Sequence, residues 1–384
     1  MRLRPYPGVV TDERVPRGPS RYDLDRESLV SLVERVAPGS PRYRADQLWD
    51  GLHRRLAEPD ELTELPQPLR AALGRHPALA PALEPDGEWD ADGGRTRKWV
   101  WRLADGARIE TVLMHAGAAN GGVTRSTVCV STQAGCAMAC GFCATGQAGF
   151  ERHLRVGEIV EQVTRAGRAA AADGHRVTHV VFMGMGEPFA NYDATWAAVR
   201  RLHDDLGLSA RHLTISTVGL VPGIRRLASE DLPVNLAVSL HAANDTLRDE
   251  LVPINRRYPL AEIAAACRDY FDAKGRRVSF EWALIAGVND RTSDVGELAA
   301  FARPLAAHVN LIPLNPTPGY PVVGSSAGAV RAFRDGLRAA GVNVTVRRPR
   351  GRDIAAACGQ LAGGRVPAPT VGAPVSLRRR RPSS

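Results

Sequence analysis

Apolar residues recur at helical spacing in two short segments near the start of the chain. Asp25 can cap the first segment, and Ser40-Pro41 opens the second. Such spacing places apolar side chains on one face of a helix. It predicts a small helical accessory domain over residues 21–80, preceded by an unstructured lead-in over residues 1–20. The apolar positions are Leu29, Leu32, Val33 and Val36, and then Ala45, Leu48, Trp49, Leu52 and Leu56.

After residue 95 the pattern changes from helical spacing to an alternation of apolar and polar residues, which is typical of strands. Before it, residues 81–94 read PALEPDGEWDADGG, an acidic, turn-rich stretch that predicts a linker over residues 81–95. The segment RKWVWRLADGARIETVLM then alternates on both sides of Asp105-Gly106, a strong hairpin signal. The segment STVCVST can add a third strand to this hairpin.

Beyond residue 155, strand-like runs alternate with helix-length segments. The runs are VTHVVFMG, LTISTVG, VNLAVSLH, VSFEWALI and HVNLIPLN. Repeated βα units predict a parallel sheet, and a strand near residue 130 brings the count to about six. We therefore predict an α/β fold, a partial (βα)6 TIM-like barrel with a β-hairpin extension over residues 96–363. In such barrels the active site lies at the carboxyl ends of the strands.

Composition and charge narrow the class of protein. The chain has 384 residues, of which 44% are hydrophobic, as is ordinary for a soluble globular protein. It contains no run of eighteen apolar residues and no apolar leader, so we expect a cytoplasmic protein without membrane contact. The net charge of +9 favours an anionic partner, with nucleic acid as first candidate. A flexible basic tail is predicted over residues 364–384, either solubilising or in contact with RNA.

The stretch GCAMACGFC places three of the six cysteines within eight residues, at Cys136, Cys140 and Cys143. A reducing compartment makes metal or catalytic chemistry more probable than a disulfide framework. A structural zinc site would need a fourth ligand from a second pair, and the sequence has no such pair nearby. Three thiolates can hold three irons of a [4Fe–4S] cluster, which leaves one iron open to a small chelating molecule.

This cysteine spacing, with Phe142 before the last cysteine, resembles the radical S-adenosylmethionine (SAM) superfamily. The resemblance implies that the open iron chelates the amino and carboxylate groups of SAM, and that one electron splits SAM into methionine and a 5′-deoxyadenosyl radical. The segment FMGMGEP, residues 182–188, resembles the Gly-Gly-Glu-Pro type motif that contacts the methionine end.

From about Tyr43 to Gly363 the chain resembles the RlmN/Cfr family of bacterial 23S rRNA adenine methyltransferases. The matching segments are YRADQLW, CVSTQAGCAMACGFCATGQAGF, VVFMGMGEP, LTISTVGLVP, SLHAANDTLRDELVPIN, NLIPLNPTPG and RGRDIAAACGQLAG. Carbons 2 and 8 of adenine are electron-poor, so neither can take the methyl group of SAM as a nucleophile, whereas a thiolate can.

The resemblance implies that Cys358 is first methylated by one SAM and that a second SAM is cleaved at the cluster. The resulting S-methylene radical adds to the adenine, Glu110 accepts the ring proton, and Cys129 attacks Cys358 to release the product and a transient disulfide. Taken without the resemblance, Glu110 is more often an exposed strand carboxylate, and Cys129 and Cys358 are more often small buried hydrophobic residues. We expect Cys267 to be such a small buried hydrophobic residue.

The resemblance also implies cofactor contacts and partners. The expected partners are 23S rRNA at adenine 2503, tRNA at adenine 37, and an electron donor such as flavodoxin or ferredoxin. The small helical domain over residues 21–80 is expected to be an RNA-binding accessory domain, and it can supply phosphate contacts together with the segments RRLHDD, NRRY and VRRPRGR. The residues expected to contact SAM are Gly186, Glu187, Ser216, Ser239, Leu240, His241 and Asn315.

Two alternatives stay open. A Cfr-type enzyme acting on carbon 8 shares every cysteine named above, and we favour carbon 2 as the commoner activity. A non-catalytic Fe–S RNA-binding protein would not require Cys358 or Cys129.

Overall fold

The computed structural model describes residues 19–117, 123–317, 319–320, 322–347 and 350–363. The predicted basic tail, and all but the last two residues of the predicted lead-in, lie outside the described residues.

Three helices form the amino-terminal unit: α1 (Arg26–Val36), α2 (Tyr43–His53) and α3 (Gln67–Gly74). The two helices expected from the sequence are confirmed, and Asp25 caps α1 by accepting a hydrogen bond from the Ser28 amide at 2.8 Å. The unit shares one hydrophobic core with the rest of the chain. Its Asp23 carboxylate accepts a hydrogen bond from the Gly157 amide at 2.7 Å, which fixes the unit to the helix that begins there.

Four strands form the antiparallel part of the main sheet: β1 (Glu84–Ala91), β2 (Thr96–Arg102), β3 (Arg108–Gly117) and β4 (Val123–Cys129). The hairpin at Asp105-Gly106 is confirmed, with Arg102 opposite Arg108. Strand β4 is the expected third strand.

The prediction of a linker over residues 81–95 is wrong, because β1 occupies most of it. This edge strand is largely exposed, so it shows no apolar alternation. Ion pairs with neighbouring strands hold it in place: Arg97 contacts Asp90 at 2.9 Å, and Arg108 contacts Asp86 at 2.7 Å. A shift of register between Pro85 and Gly87 accommodates the turn-forming residues.

A small antiparallel ribbon follows β4. It consists of β5 (Gln133–Gly135) and β6 (Phe150–His153), and the short helix α4 (Ala144–Gln147) lies between them. The loop with the three clustered cysteines leaves β5 and runs into α4.

The main sheet continues from β4 as parallel strands, and the partial barrel is confirmed. The strands are β7 (His179–Phe182), β8 (Leu213–Thr217), β9 (Asn235–Ser239), β10 (Ser279–Leu284), β11 (His308–Pro313) and β12 (Asn343–Val346). The expected count was about six, and β12 adds a short seventh parallel strand. Strands β1 and β12 are the two edges of the sheet, so the barrel is open.

The helices that connect these strands are α5 (Val156–Ala172), α6 (Tyr192–Asp204), α7 (Val221–Ser229), α8 (Asp245–Leu251), α9 (Leu260–Lys274), α10 (Thr292–Ala302) and α11 (Ala327–Ala339). Among the described residues, no helix is both long and apolar enough to cross a membrane. The parallel arrangement brings the carboxyl ends of β7 to β11 together on one side of the sheet.

Candidate active site

The cysteine loop is held in shape by backbone contacts. The Cys136 amide donates to the Gly149 carbonyl at 2.7 Å, and the Cys143 amide donates to the Cys140 carbonyl at 3.1 Å. Gly135 has φ 74°, and a Cβ atom there would lie 2.0 Å from the Gly149 carbonyl oxygen, so only glycine fits. The loop turns all three cysteines toward one cavity, which we call the cofactor cavity.

Burial disfavours the thiolate form of two cysteines of the loop. Burial raises the pKa of Cys136 to about 12, and the neighbouring Cys143 thiol adds to this effect. Burial and the adjacent thiols also raise the pKa of Cys140. Thiolates here therefore require a cationic partner, which a metal cluster supplies.

The donor set fits a cluster rather than a single ion. In the part of the chain that the structure describes, no three His, Cys, Asp or Glu side chains have the geometry to hold one metal ion. The thiolates of a [4Fe–4S] cluster bind different irons and need not converge on one point. Three thiols lining one cavity agree with such a cluster.

Six of the seven residues expected to contact SAM line the cofactor cavity. They are Gly186, Glu187, Ser216, Ser239, His241 and Asn315. Leu240 does not line it, because its side chain is fully buried in the hydrophobic core. The carboxyl ends of four parallel strands thus bring together residues that are far apart in the sequence, from Gly186 to Asn315, 129 positions later.

Glu187 joins the turn after β7 to the end of β8. Its carboxylate accepts hydrogen bonds from the Phe189 amide at 3.0 Å and the Val218 amide at 2.8 Å. Burial raises its pKa to about 7. Gly186 before it has φ 103°, and a Cβ atom there would lie within 2.8 Å of the Gln133 backbone nitrogen.

His241 is held as a neutral imidazole. Its Nδ1 accepts a hydrogen bond from the Ala283 amide at 3.0 Å, and its ring meets the Phe142 ring edge-on at 4.7 Å. Burial lowers its pKa to about 3.

A fully buried guanidinium supports the loops after β8 and β9. Arg248 donates to the Val218 carbonyl at 2.7 Å and to the Leu240 carbonyl at 3.0 Å. Its third partner is the Asn255 side chain at 2.7 Å. The segment SLHAANDTLRDELVPIN carries Arg248, but its sequence gave no sign of this role.

Two buried polar atoms at the cofactor cavity accept no hydrogen bond from the described residues. They are Oδ1 of Asn315 and Oε2 of Glu281. Asn315 donates to the Cys358 carbonyl at 3.2 Å, and the other carboxylate oxygen of Glu281 accepts from Asn310 at 2.8 Å. Oε2 of Glu281 is nevertheless 3.7 Å from Nε of Arg347, with which it forms an ion pair. Because buried polar groups normally have partners, Oδ1 of Asn315 is the atom suited to a ligand. Sequence reasoning missed Glu281, since it lies within the apolar run VSFEWALI.

Cys358 is exposed into the cofactor cavity, and Arg347 lies beside it. Nη1 of Arg347 is 3.4 Å from the Cys358 sulfur, and Nε is 3.7 Å from the Glu281 carboxylate. We expected the segment VRRPRGR to contact phosphate, and the structure places Arg347 of this segment beside the Cys358 sulfur.

Cys129 and Cys358 line a second cavity, which we call the thiol cavity. Cys358 and Arg347 line both cavities, whereas the three clustered cysteines line only the first. Burial raises the pKa of Cys129 to about 12, and the nearby Cys358 contributes. The structure thus brings the two distant cysteines together. Cys267 lies apart from them, buried in α9.

Glu110 is buried, whereas without the family resemblance it would be interpreted as an exposed strand carboxylate. It lines neither cavity. Its carboxylate lies 3.2 Å from the Lys98 ammonium and accepts a hydrogen bond from the Ala362 amide at 3.0 Å. The structure therefore places it against the segment that follows Cys358.

One of the other arginine-rich segments has a structural role. In RRLHDD, Arg200 pairs with Asp231 at 2.7 Å, and Arg201 donates to the Leu24 carbonyl at 2.6 Å.

Comparison with known proteins agrees with this site. Residues 130–302 match the model of the Radical SAM superfamily. A protein of Parafrankia sp. described as a probable dual-specificity RNA methyltransferase RlmN is 55% identical over 358 residues, 88% of this chain and 90% of the relative. A protein of Chloroflexus aurantiacus with the same description is 50% identical over 356 residues, 89% of this chain and 92% of the relative.

A solved structure shows the same architecture. The crystal structure of a radical SAM methyltransferase from Sphaerobacter thermophilus has a TM-score of 0.83 and 50% sequence identity, and covers 90% of this chain and 100% of that chain. The cofactors of this superfamily are a [4Fe–4S] cluster and SAM, and the cofactor cavity has the residues to hold both. The chain therefore belongs to the radical SAM superfamily and, within it, to the RlmN family of RNA methyltransferases.

Proposed function

We propose that this chain methylates carbon 2 of adenine in RNA, at adenine 2503 of 23S rRNA and at adenine 37 of tRNAs. The observation that carries the proposal is the position of Cys358, which lines the cofactor cavity on one side and shares the thiol cavity with Cys129 on the other. A carrier of methyl groups must face both the donor and the acceptor, and Cys358 does.

When bound, the cluster and SAM supply a methyl group and a 5′-deoxyadenosyl radical. The Cys358 thiolate takes up the methyl group, forming a carbon–sulfur bond as the methyl–sulfonium bond breaks. Arg347 stabilises negative charge on this sulfur, since its guanidinium lies 3.4 Å away. The Asn315 side-chain amide donates a hydrogen bond to the backbone carbonyl of Cys358 and so fixes the position of that backbone.

The later steps use Glu110 and Cys129. After the methylene radical carbon on Cys358 has bonded to the adenine, Glu110 takes the proton from that ring carbon, for which the Ala362 amide must release its carboxylate. The unpaired electron left on the ring passes to a one-electron acceptor, the oxidised form of the electron carrier that serves the enzyme. The Cys129 thiolate then attacks the Cys358 sulfur. The sulfur–methylene bond breaks, its electron pair and a proton go to the methyl group of the product, and the two thiols are oxidised to a disulfide. A thiol reductant must reopen this disulfide before the next turnover.

Nucleoside mass spectrometry tests the proposal. We expect that a deletion strain lacks 2-methyladenosine in 23S rRNA and tRNA and that the gene restores it. Formation of 8-methyladenosine instead would favour the Cfr-type reaction. We expect that Cys358→Ala restores nothing and that Cys129→Ala accumulates a covalent RNA–protein adduct. The matched control is Cys267→Ala, a buried cysteine outside the site. Full methylation by Cys358→Ala would refute the proposal.

A further inference from the structure

The thiol cavity differs in charge from the cofactor cavity. Three arginines line it, Arg125, Arg347 and Arg350, and among the described residues no Asp or Glu does. The cofactor cavity, by contrast, contains the carboxylates of Glu187 and Glu281. A cavity lined by cations without a carboxylate attracts an anionic ligand.

Two of these arginines are not neutralised by carboxylates. Arg125 on β4 donates to the Thr127 hydroxyl at 3.0 Å, and Arg350 donates to the His115 carbonyl. Neither forms an ion pair with any Asp or Glu that the structure describes, whereas Arg347 pairs with Glu281. Although the Arg125 residue is exposed, desolvation of its guanidinium and the charge of Arg347 lower its pKa, and a bound anion would act in the opposite direction.

The rest of the cavity is apolar and suits a flat ring. Its wall includes the side chains of Met114, Val181, Met183, Ile312 and Leu361. Enzymes that act on a base usually unstack it and hold it between apolar or aromatic side chains. Both thiols of the proposed reaction line this cavity: Cys358, which must reach the base, and Cys129, which must reach the Cys358 sulfur.

Both arginines are held by contacts with β3, one through its strand and the other through its side chain. Arg125 belongs to β4, which is paired with β3. Arg350 is tied to His115 of β3, and the His115 ring is in turn fixed by the Ser126 hydroxyl at 2.8 Å. Phosphate ligands held in this way give register and orientation to a nucleic acid.

We propose that the thiol cavity binds one unstacked purine nucleotide of the RNA substrate, with the base against the apolar wall and the flanking phosphates on Arg125 and Arg350. This inference rests on the proposed function. It divides the site into a cofactor side and an RNA side that meet at Cys358.

The test uses the holoenzyme and an unmethylated 23S rRNA fragment containing adenine 2503, transcribed in vitro. We expect that Arg125→Gln and Arg350→Gln each weaken RNA binding by about tenfold or more, as for the loss of a charged hydrogen bond. Each should also reduce the slope of log K against log salt by about one, because one phosphate contact is lost. Arg331→Gln on the exposed side of α11 is the matched control and should change neither.

A second readout separates the RNA side from the cofactor side. S-methylation of Cys358 by SAM without RNA, followed by peptide mass spectrometry, should proceed in both variants at the wild-type rate. Iron content and unfolding midpoint check that the variants fold, and Arg350→Lys, which keeps the charge, should recover part of the affinity.

The outcomes are distinguishable. RNA affinity and salt slope equal to those of Arg331→Gln would overturn the inference, and so would loss of Cys358 methylation in the two variants. If the wild-type enzyme binds RNA through both arginines but forms no methyladenosine, the nucleotide site stands and the proposed function fails. If the wild-type enzyme methylates RNA and the variants bind it normally, only the nucleotide site fails.

Discussion

The guanidinium of Arg347 stands between Cys358 and Glu281, 3.4 Å from the sulfur and 3.7 Å from the carboxylate. In the proposed reaction Cys358 changes its charge, because its thiolate becomes a neutral thioether and later a disulfide. Glu281 therefore keeps Arg347 compensated at stages when the sulfur carries no charge.

We expect Arg347→Gln to slow the methylation of Cys358 by about tenfold or more, since a charged hydrogen bond contributes about 1.5–3 kcal/mol and about 1.4 kcal/mol corresponds to a factor of ten. The time course of the mass of the Cys358 peptide measures this rate. The control is Arg334→Gln, which removes an arginine paired with Asp335 on the surface of α11. Equal rates in the two variants would show that Arg347 has no influence on the sulfur.

Glu110 forms a buried ion pair with Lys98, and variants of this pair distinguish a structural role of Glu110 from a chemical one. We expect Glu110→Gln to lower the free energy of unfolding by about 3 kcal/mol, because it leaves Lys98 buried without its partner. The double variant Lys98→Met/Glu110→Gln should recover most of this stability, since no uncompensated charge remains. Urea unfolding measures both.

The same two variants test the proton acceptor. If Glu110 accepts the ring proton, the stable double variant still forms no 2-methyladenosine and accumulates the RNA adduct. Recovery of methylation together with stability would assign Glu110 a structural role alone.

Gly186 and Gly287 both have positive φ angles, 103° and 70°. An added Cβ meets nothing within 4 Å at Gly287, but at Gly186 it would lie 2.6 Å from the Gln133 side chain. We expect Gly287→Ala to cost only the backbone strain of about 1 kcal/mol. Gly186→Ala should in addition displace Gln133, which accepts a hydrogen bond from the Glu187 amide. Its affinity for SAM, measured by calorimetry on the cluster-loaded protein, should fall at least tenfold more than that of Gly287→Ala.

His53 makes the stability of the amino-terminal unit depend on pH. Burial against Trp49 lowers its pKa to about 4 from an ordinary value of 6.5. The stability that the neutral ring contributes is therefore fully present above pH 6.5 and is lost as pH falls toward 4. Between pH 7 and pH 5 we expect His53→Phe to lose about 2 kcal/mol less free energy of unfolding than the wild type. Parallel pH dependences in urea would contradict this.

The fold could be predicted wherever burial produces a recognisable pattern of apolar residues in the sequence. Strands β7 to β11 are apolar because both faces are covered, and α1 shows a clear apolar face. Strand β1 leaves no such trace, because it lies at an exposed edge and is held by charge pairs with β2 and β3. Those contacts depend on tertiary neighbours that the local pattern does not contain.

The site was predictable in its motifs but not in its supporting residues. Spacing identified Cys136, Cys140 and Cys143, and the family resemblance carried the prediction to Cys358 and Cys129. Arg347 and Glu281 have no motif of their own, and they acquire a role only because β10 and the segment after β12 meet beside Cys358. Charge alone suggested phosphate contacts for the segment VRRPRGR and did not distinguish Arg347 from its neighbours.

Two hydrogen bonds join residues 359–361, just after Cys358, to the residues that follow the cysteine loop. The Ala144 amide donates to the Gly359 carbonyl at 2.8 Å, and the Thr145 hydroxyl donates to the Leu361 carbonyl across 216 residues of sequence. During synthesis on the ribosome, the cysteines of the loop emerge long before Cys358, the proposed methyl acceptor. Under the proposed function, a nascent chain has its complete cysteine loop while it still lacks the methyl acceptor. Methyl transfer can then begin only when residues 358–361 have been translated and have docked against the loop.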